Sequence, residues 1–215
     1  MRSSIILLCI LIPGLMQAQD KMYSIVFLNK NANAPKITKE ESATLMQGHL
    51  DNINRLAKEG KLLAAGPFEG GGGLFILSTT SVEEAKAWLA TDPGIVANRW
   101  RIEIYPYQPR YGSVCPVKEP YEMTHYTFIR YDAIVSKVTA GNFPEIMMKH
   151  DQYMKQLKNT GNVITEAVFN ERDGGILVMK GELQPEVIEN DPGIQAGLIQ
   201  HEIKKLYIAE GSFCE

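Results

Sequence analysis

The order of apolar and polar positions runs through the same succession twice. Tyr23 to Leu28 is apolar and rich in β-favouring side chains, as is Tyr126 to Tyr131. After a polar loop the period becomes helical. Met46, His49, Leu50, Ile53, Leu56 and Ala57 share one helical face, and Ile146, Met147, His150, Met154 and Leu157 share its counterpart. Gly60 and Gly161 stand where a helix C-cap belongs. Leu62 to Ala65 and Val163 to Val168 predict second strands, and a turn leads to third strands at Leu74 to Ser78 and Ile176 to Met179. A second helix opens at Ser81, with Glu84 three residues on in a capping-box pattern. Its counterpart is shorter and has Pro185 near its start. Arg99 to Tyr107 and Leu198 to Ile208 predict the last strands. The order is βαββαβ, twice, so the fold class is α+β with two tandem ferredoxin-like repeats. Helices cover only one face of such an antiparallel sheet. The other face needs a cover, and packing the two repeats sheet to sheet supplies it.

Individual residues repeat along with the pattern. Asp92-Pro93-Gly94-Ile95 recurs as Asp191-Pro192-Gly193-Ile194. His49 is followed by Gly60 and Phe68 at offsets of 11 and 19, and His150 by Gly161 and Phe169 at the same offsets. Gly112-Ser113-Val114-Cys115 recurs as Gly211-Ser212-Phe213-Cys214. A period of about 100 residues is too long for a solenoid unit and suits a duplicated small domain. The halves run 21–117 and 121–215, joined by a linker at 118–120.

Composition adds mainly exclusions. With 45% apolar and 22% charged residues, the 215-residue chain has the make-up of a folded globular protein. A net charge of −3 without a basic run argues against nucleic-acid binding through phosphate neutralisation. The first residues change the counts. Arg2, the apolar run from Ile5 to Ile12, Pro13-Gly14 and the small Ala18 read as a signal peptide over residues 1–18. The run is too short for the roughly 20 residues that a membrane-spanning helix needs. The mature protein is then expected outside the cytoplasm, periplasmic or secreted, with no membrane partner. Its net charge becomes −4, and the three cysteines reduce to Cys115 and Cys214. These two occupy equivalent places after the last strands, where they can meet near the twofold axis that relates the halves, so a disulfide between them is expected.

The motif His49-Leu50, Leu56, Gly60 to Phe68, Ala87 and Asp92-Pro93 resembles the YciI-like (YCII-related) family. The second half keeps His150, Gly161, Asp191-Pro192 and Gly197, but has Glu166-Ala167-Val168-Phe169 in place of Ala65-Gly66-Pro67-Phe68. The resemblance implies a dimeric α+β barrel, formed here within one chain as a pseudo-dimer that can still self-associate. It also implies acid–base chemistry by paired His and Asp, leaning towards lyase-like steps on small molecules. Relatives on the same barrel include monooxygenases, isomerases and haem enzymes, so the fold alone fixes no reaction.

The expected catalytic residues are therefore His49 with Asp92 and His150 with Asp191. A carboxylate can fix the imidazole tautomer and raise its basicity. The competing reading is architectural. An Asp before Pro often ends a helix and binds loop amides, and a His on an apolar helix face often belongs to the core. Arg99 and Arg101 are candidate anchors for a small anionic ligand. Glu103 and Glu202 align on the last strands and suit a solvated edge. Gly70 to Gly73 lacks the helix and the Lys of a phosphate loop, and reads as a hairpin tip. No metal is expected, because His49, His125, His150 and His201 show no ligand spacing. No cofactor is expected either.

Overall fold

The computed structural model describes residues 23–134, 136, 141–169 and 174–215. The expected signal peptide lies outside them. The first half runs β1 (Tyr23–Lys30), α1 (Lys39–Lys58), β2 (Leu62–Pro67), β3 (Gly73–Leu77), α2 (Val82–Leu89), α3 (Pro93–Val96), β4 (Trp100–Tyr111) and β5 (Ser113–Val114). The second runs β6 (Met123–Ala133), α4 (Phe143–Lys158), β7 (Val163–Val168), β8 (Gly174–Met179), α5 (Glu186–Glu189), α6 (Pro192–Gln195), β9 (Ile199–Ala209) and β10 (Phe213–Cys214).

Eight strands form one antiparallel sheet in the order β2-β3-β1-β4-β7-β8-β6-β9. Two joints link the halves. In one, β4 pairs with β7, with Gln108 opposite Val168 and Pro109 opposite Ala167. In the other, the outermost strands meet: Phe68 bridges to Leu206, and Glu69 N donates to Lys205 O at 2.9 Å. Gly66 permits this second joint, since a Cβ there would lie 2.5 Å from Tyr207 O. The sheet thus curls on itself around an aromatic core that includes Phe27, Tyr107, Phe128 and Phe169.

Helices cover the outer surface in two separate layers. Leu56, Ala85 and Leu89 pack on Val26, Leu28, Phe75 and Leu77 in the first half. Met154, Leu157 and Ile188 pack on Ile129, Tyr131, Leu177 and Met179 in the second. The small ribbon of β5 and β10 joins the two C-terminal ends, and a Cys115–Cys214 disulfide spans it with the Cα atoms 6.0 Å apart.

Several local details differ from the sequence reading. The full capping box is at Thr38 and Glu41, which opens α1 well before the first periodic apolar residue. At Ser81 only half of the box forms, because Glu84 turns its carboxylate to the Thr79 hydroxyl. The Asp-Pro-Gly-Ile segments do not simply end helices. Each starts one of its own, with Asp as N-cap and Pro in the first turn.

Candidate active site

Each histidine projects from the long helix of its half towards the Asp-Pro turn before the last strand. Nδ1 of His49 lies 2.6 Å from Asp92 Oδ2, and Nδ1 of His150 lies 2.6 Å from Asp191 Oδ2. The other aspartate oxygen caps the one-turn helix. Asp92 Oδ1 accepts from Gly94 N at 2.9 Å and Ile95 N at 3.2 Å, and Asp191 Oδ1 accepts from Gly193 N at 2.7 Å. The cap aims the carboxylate, and the carboxylate aims the imidazole. Gly94 is part of this device, since a Cβ there would fall 2.1 Å from the Trp100 ring.

Asp92 is fully buried and Asp191 nearly so. Burial disfavours the Asp92 carboxylate, but the hydrogen bond and charge of His49 outweigh it. With the N–H groups of Ile95 and Gly94, they hold its pKa below the usual aspartate value. The remaining ring nitrogens are differently placed. Nε2 of either histidine has no hydrogen-bond partner among the described residues, and neither is sealed off. The side chains keep 11% and 13% of their surface exposed. Each pair therefore presents an imidazole whose inner nitrogen is tied and whose outer nitrogen is open.

The surroundings of the two pairs diverge. His49 lies between Phe75, stacked at 5.7 Å, and Trp100 at 4.6 Å. The strand registers place Leu177 and Ile199 at the equivalent positions around His150. They also place Tyr131 where the first half has Leu28, and Glu166 where it has Ala65. Asn52 donates to Asp92 Oδ2 at 3.4 Å and joins a network with Arg55 and Thr91. Its counterpart Tyr153 instead donates to Val187 O at 2.7 Å.

The arginines do not converge on either pair. The Arg99 guanidinium donates to Pro35 O at 2.7 Å. Arg101 is exposed and alternates with Trp100 and Ile102, so it projects to the opposite face of the sheet from His49. Arg99 and Arg101, the candidate anchors for an anion, are thus not placed beside His49. Glu103 is not merely a solvated edge. It accepts from Asn29 at 2.8 Å and pairs at 2.8 Å with Arg130, which sequence reasoning missed. Arg130 also pairs with Asp132 at 3.0 Å and covers the Phe27 ring at 4.4 Å. A run of alternating residues on β6 gave no sign of that cluster.

A groove of about 600 Å³ lies elsewhere, lined in part by Phe68, His125, Thr127, Lys205 and Tyr207. It lies at the joint between the outermost strands, and its lining includes neither His–Asp pair. Among the described residues no group of three or more His, Cys, Asp or Glu side chains could hold a metal ion. None of the helices described is long and apolar enough to cross a membrane.

Residues 22–107 match the family model of the YCII-related domain. The match takes in β1 to β4 up to Tyr107, and with them His49 and Asp92. Solved structures similar to this chain include two mutant forms of chlorite dismutase from Candidatus Nitrospira defluvii. One is 8% identical, covers 88% of this chain and 92% of its own, and has a TM-score of 0.55. The other, in complex with cyanide, is 8% identical, covers 90% and 93%, and has a TM-score of 0.54. These likenesses concern the fold, an α+β barrel. No curated protein matches the chain.

Proposed function

We propose that the chain is an exported protein of two YciI-like repeats, folded as an intramolecular dimeric α+β barrel. On this reading it performs cofactor-free acid–base chemistry of the lyase or isomerase type on a small molecule. One observation carries the reading: each half sets a histidine Nδ1 2.6 Å from a buried aspartate and leaves Nε2 open. Two such halves related by matching registers support the pseudo-dimer. The apolar stretch within residues 1–18 and the Cys115–Cys214 disulfide support export.

The chemistry follows from the geometry. The carboxylate accepts a hydrogen bond from Nδ1–H, which leaves the lone pair on Nε2. Nε2 takes a proton from a substrate C–H, and the bonding pair moves into the substrate as an enolate. Aspartate balances the imidazolium charge. Return of the proton to another carbon gives an isomer. Donation of the proton to a departing group, as the electron pair forms a double bond, completes a lyase step. Positioned general bases of this kind contribute about 10²–10⁴-fold in rate. The arginine placement gives no support to an anionic substrate, so the reading is kept to small molecules in general, without nucleic-acid or membrane partners.

A second reading has support of its own. Both aspartates cap one-turn helices, so the pairs could be architectural in a ligand-binding or structural protein. A screen of small carbonyl and carboxylic metabolites with the wild type, His49→Ala, His150→Ala and the double variant separates the two. Turnover that falls at least about a hundredfold in one single variant supports the base, and names the active half. Turnover unchanged in all three variants favours the architectural reading.

A further inference from the structure

The two joints between the halves are not closed alike. At one, Val168 pairs with Gln108 and the ladder runs on through Ala167 and Glu166. At the other, Pro67 stands in the place of Val168, and Tyr207 in the place of Gln108. Proline has no N–H to give to a ladder. This joint is held by the Phe68–Leu206 bridge and by the bond from Glu69 N to Lys205 O, and the groove of about 600 Å³ lies beside them.

Strand alternation decides what faces the groove. Tyr126, Phe128, Leu206 and Ile208 turn into the core, so His125, Thr127, Lys205 and Tyr207 take the outer face. His125 lies opposite Tyr207, and Thr127 opposite Lys205. The His125 and Tyr207 rings are 4.7 Å apart, and both side chains are exposed. They give the groove an aromatic floor with open ring surface. Lys205 and Glu69 bring opposite charges to the same groove. They are not paired with each other. The Lys205 ammonium reaches Glu182 instead, at 3.4 Å, with both side chains more than half exposed. An ion pair of that kind is weak and yields to a ligand. In the first half Pro106 and Gln108 hold the places of Lys205 and Tyr207, so the combination belongs to this joint. A ligand with a carboxylate alone would leave Glu69 unanswered, and one with an ammonium alone would leave Lys205 so. A flat ring that carries both groups answers the floor and both charges.

We propose that this groove is a separate ligand site for a small aromatic zwitterion of the α-amino acid class. The ring lies against Tyr207 and His125, the carboxylate pairs with Lys205, and the ammonium pairs with Glu69. The site does not depend on the acid–base reading of the His–Asp pairs.

L-Phenylalanine, titrated into the full disulfide-bonded chain, is the probe. The NMR ring signals of His125 and Tyr207 should move, while those of His49 and His150 stay still. Phenylpropionate lacks the ammonium, phenethylamine the carboxylate and alanine the ring. Each should bind at least about tenfold more weakly than phenylalanine. Tyr207→Leu and Lys205→Gln should each weaken phenylalanine about tenfold. Both positions are exposed, so each variant should melt within about 2 °C of the wild type, which shows that the fold is intact. Phenylalanine that leaves the His125 and Tyr207 signals unmoved overturns the proposal. So does equal affinity for phenylalanine and its one-charge analogues, or affinity unchanged in either variant. None of these results depends on turnover, so failure of this probe and failure of the metabolite screen are distinguishable.

Discussion

The His49 and His150 sites share one backbone device and differ in nearly everything around it. In both, an Asp-Pro-Gly turn caps a one-turn helix and holds an imidazole at 2.6 Å. Around His49 the walls are aromatic, and the aspartate is supported by Asn52 and two backbone N–H groups. Around His150 two of the wall positions are aliphatic, the aspartate has one backbone N–H, and two tyrosines and a half-buried Glu166–Lys158 pair bring in polar atoms. A duplicated scaffold has kept the pair and varied its walls. Walls choose ligands, so the two sites should differ in what they admit, whatever chemistry they share.

The largest expected effect acts on both sites together. Replacing Cys115 and Cys214 by Ser removes a cross-link between residues 99 apart. Chemical denaturation should show a loss of about 4 kcal/mol, in a single transition for both halves. Two separate transitions would show that the sites rest on independent units.

Next come the aspartates. Asp92→Ala removes a cap and leaves a buried imidazole nitrogen unpaired, at about 3 kcal/mol. Asp191→Ala should cost less, about 2 kcal/mol, because that carboxylate caps through one N–H rather than two. Equal losses would erase the comparison at its base. A smaller effect is expected of Phe75→Leu, which gives His49 the wall residue of the second half. It should destabilise by about 1 kcal/mol and bring the His49 ring signals closer to those of His150.

The smallest effect is one of pH. The Asp92 pKa is depressed in the folded state, so its contribution is present above the unfolded aspartate value. It is lost as pH falls through the lower, folded value. Wild-type stability should therefore decline below about pH 4, and Asp92→Asn should flatten part of that decline. An unaltered acid limb in Asp92→Asn would mean that His49 does not hold the carboxylate ionised.

Much of the framework was legible in the sequence, for physical reasons. The period-2 and period-3.6 segments marked the strands and the long helices, and the doubled Asp-Pro-Gly-Ile located both turns that meet the histidines. What was not legible depends on which face a strand residue takes. Arg101 reads as a candidate anchor until the register with Asn29 turns it away from His49. Arg130 reads as an ordinary strand residue until the curled sheet brings Glu103 from the other half to 2.8 Å. Tyr131 passes as one more apolar strand position, because only three-dimensional packing reveals that its hydroxyl has no partner. The capping role of Asp92 was half visible, since its carboxylate serves loop amides and imidazole at once.

The central claim is that both imidazoles are tied at Nδ1 and open at Nε2. Nitrogen-15 NMR of the two histidine rings across a pH series tests it most directly. In the neutral form, both rings should carry the proton on Nδ1 and a bare lone pair on Nε2. Neutral rings protonated at Nε2, with Nδ1 bare, would contradict it.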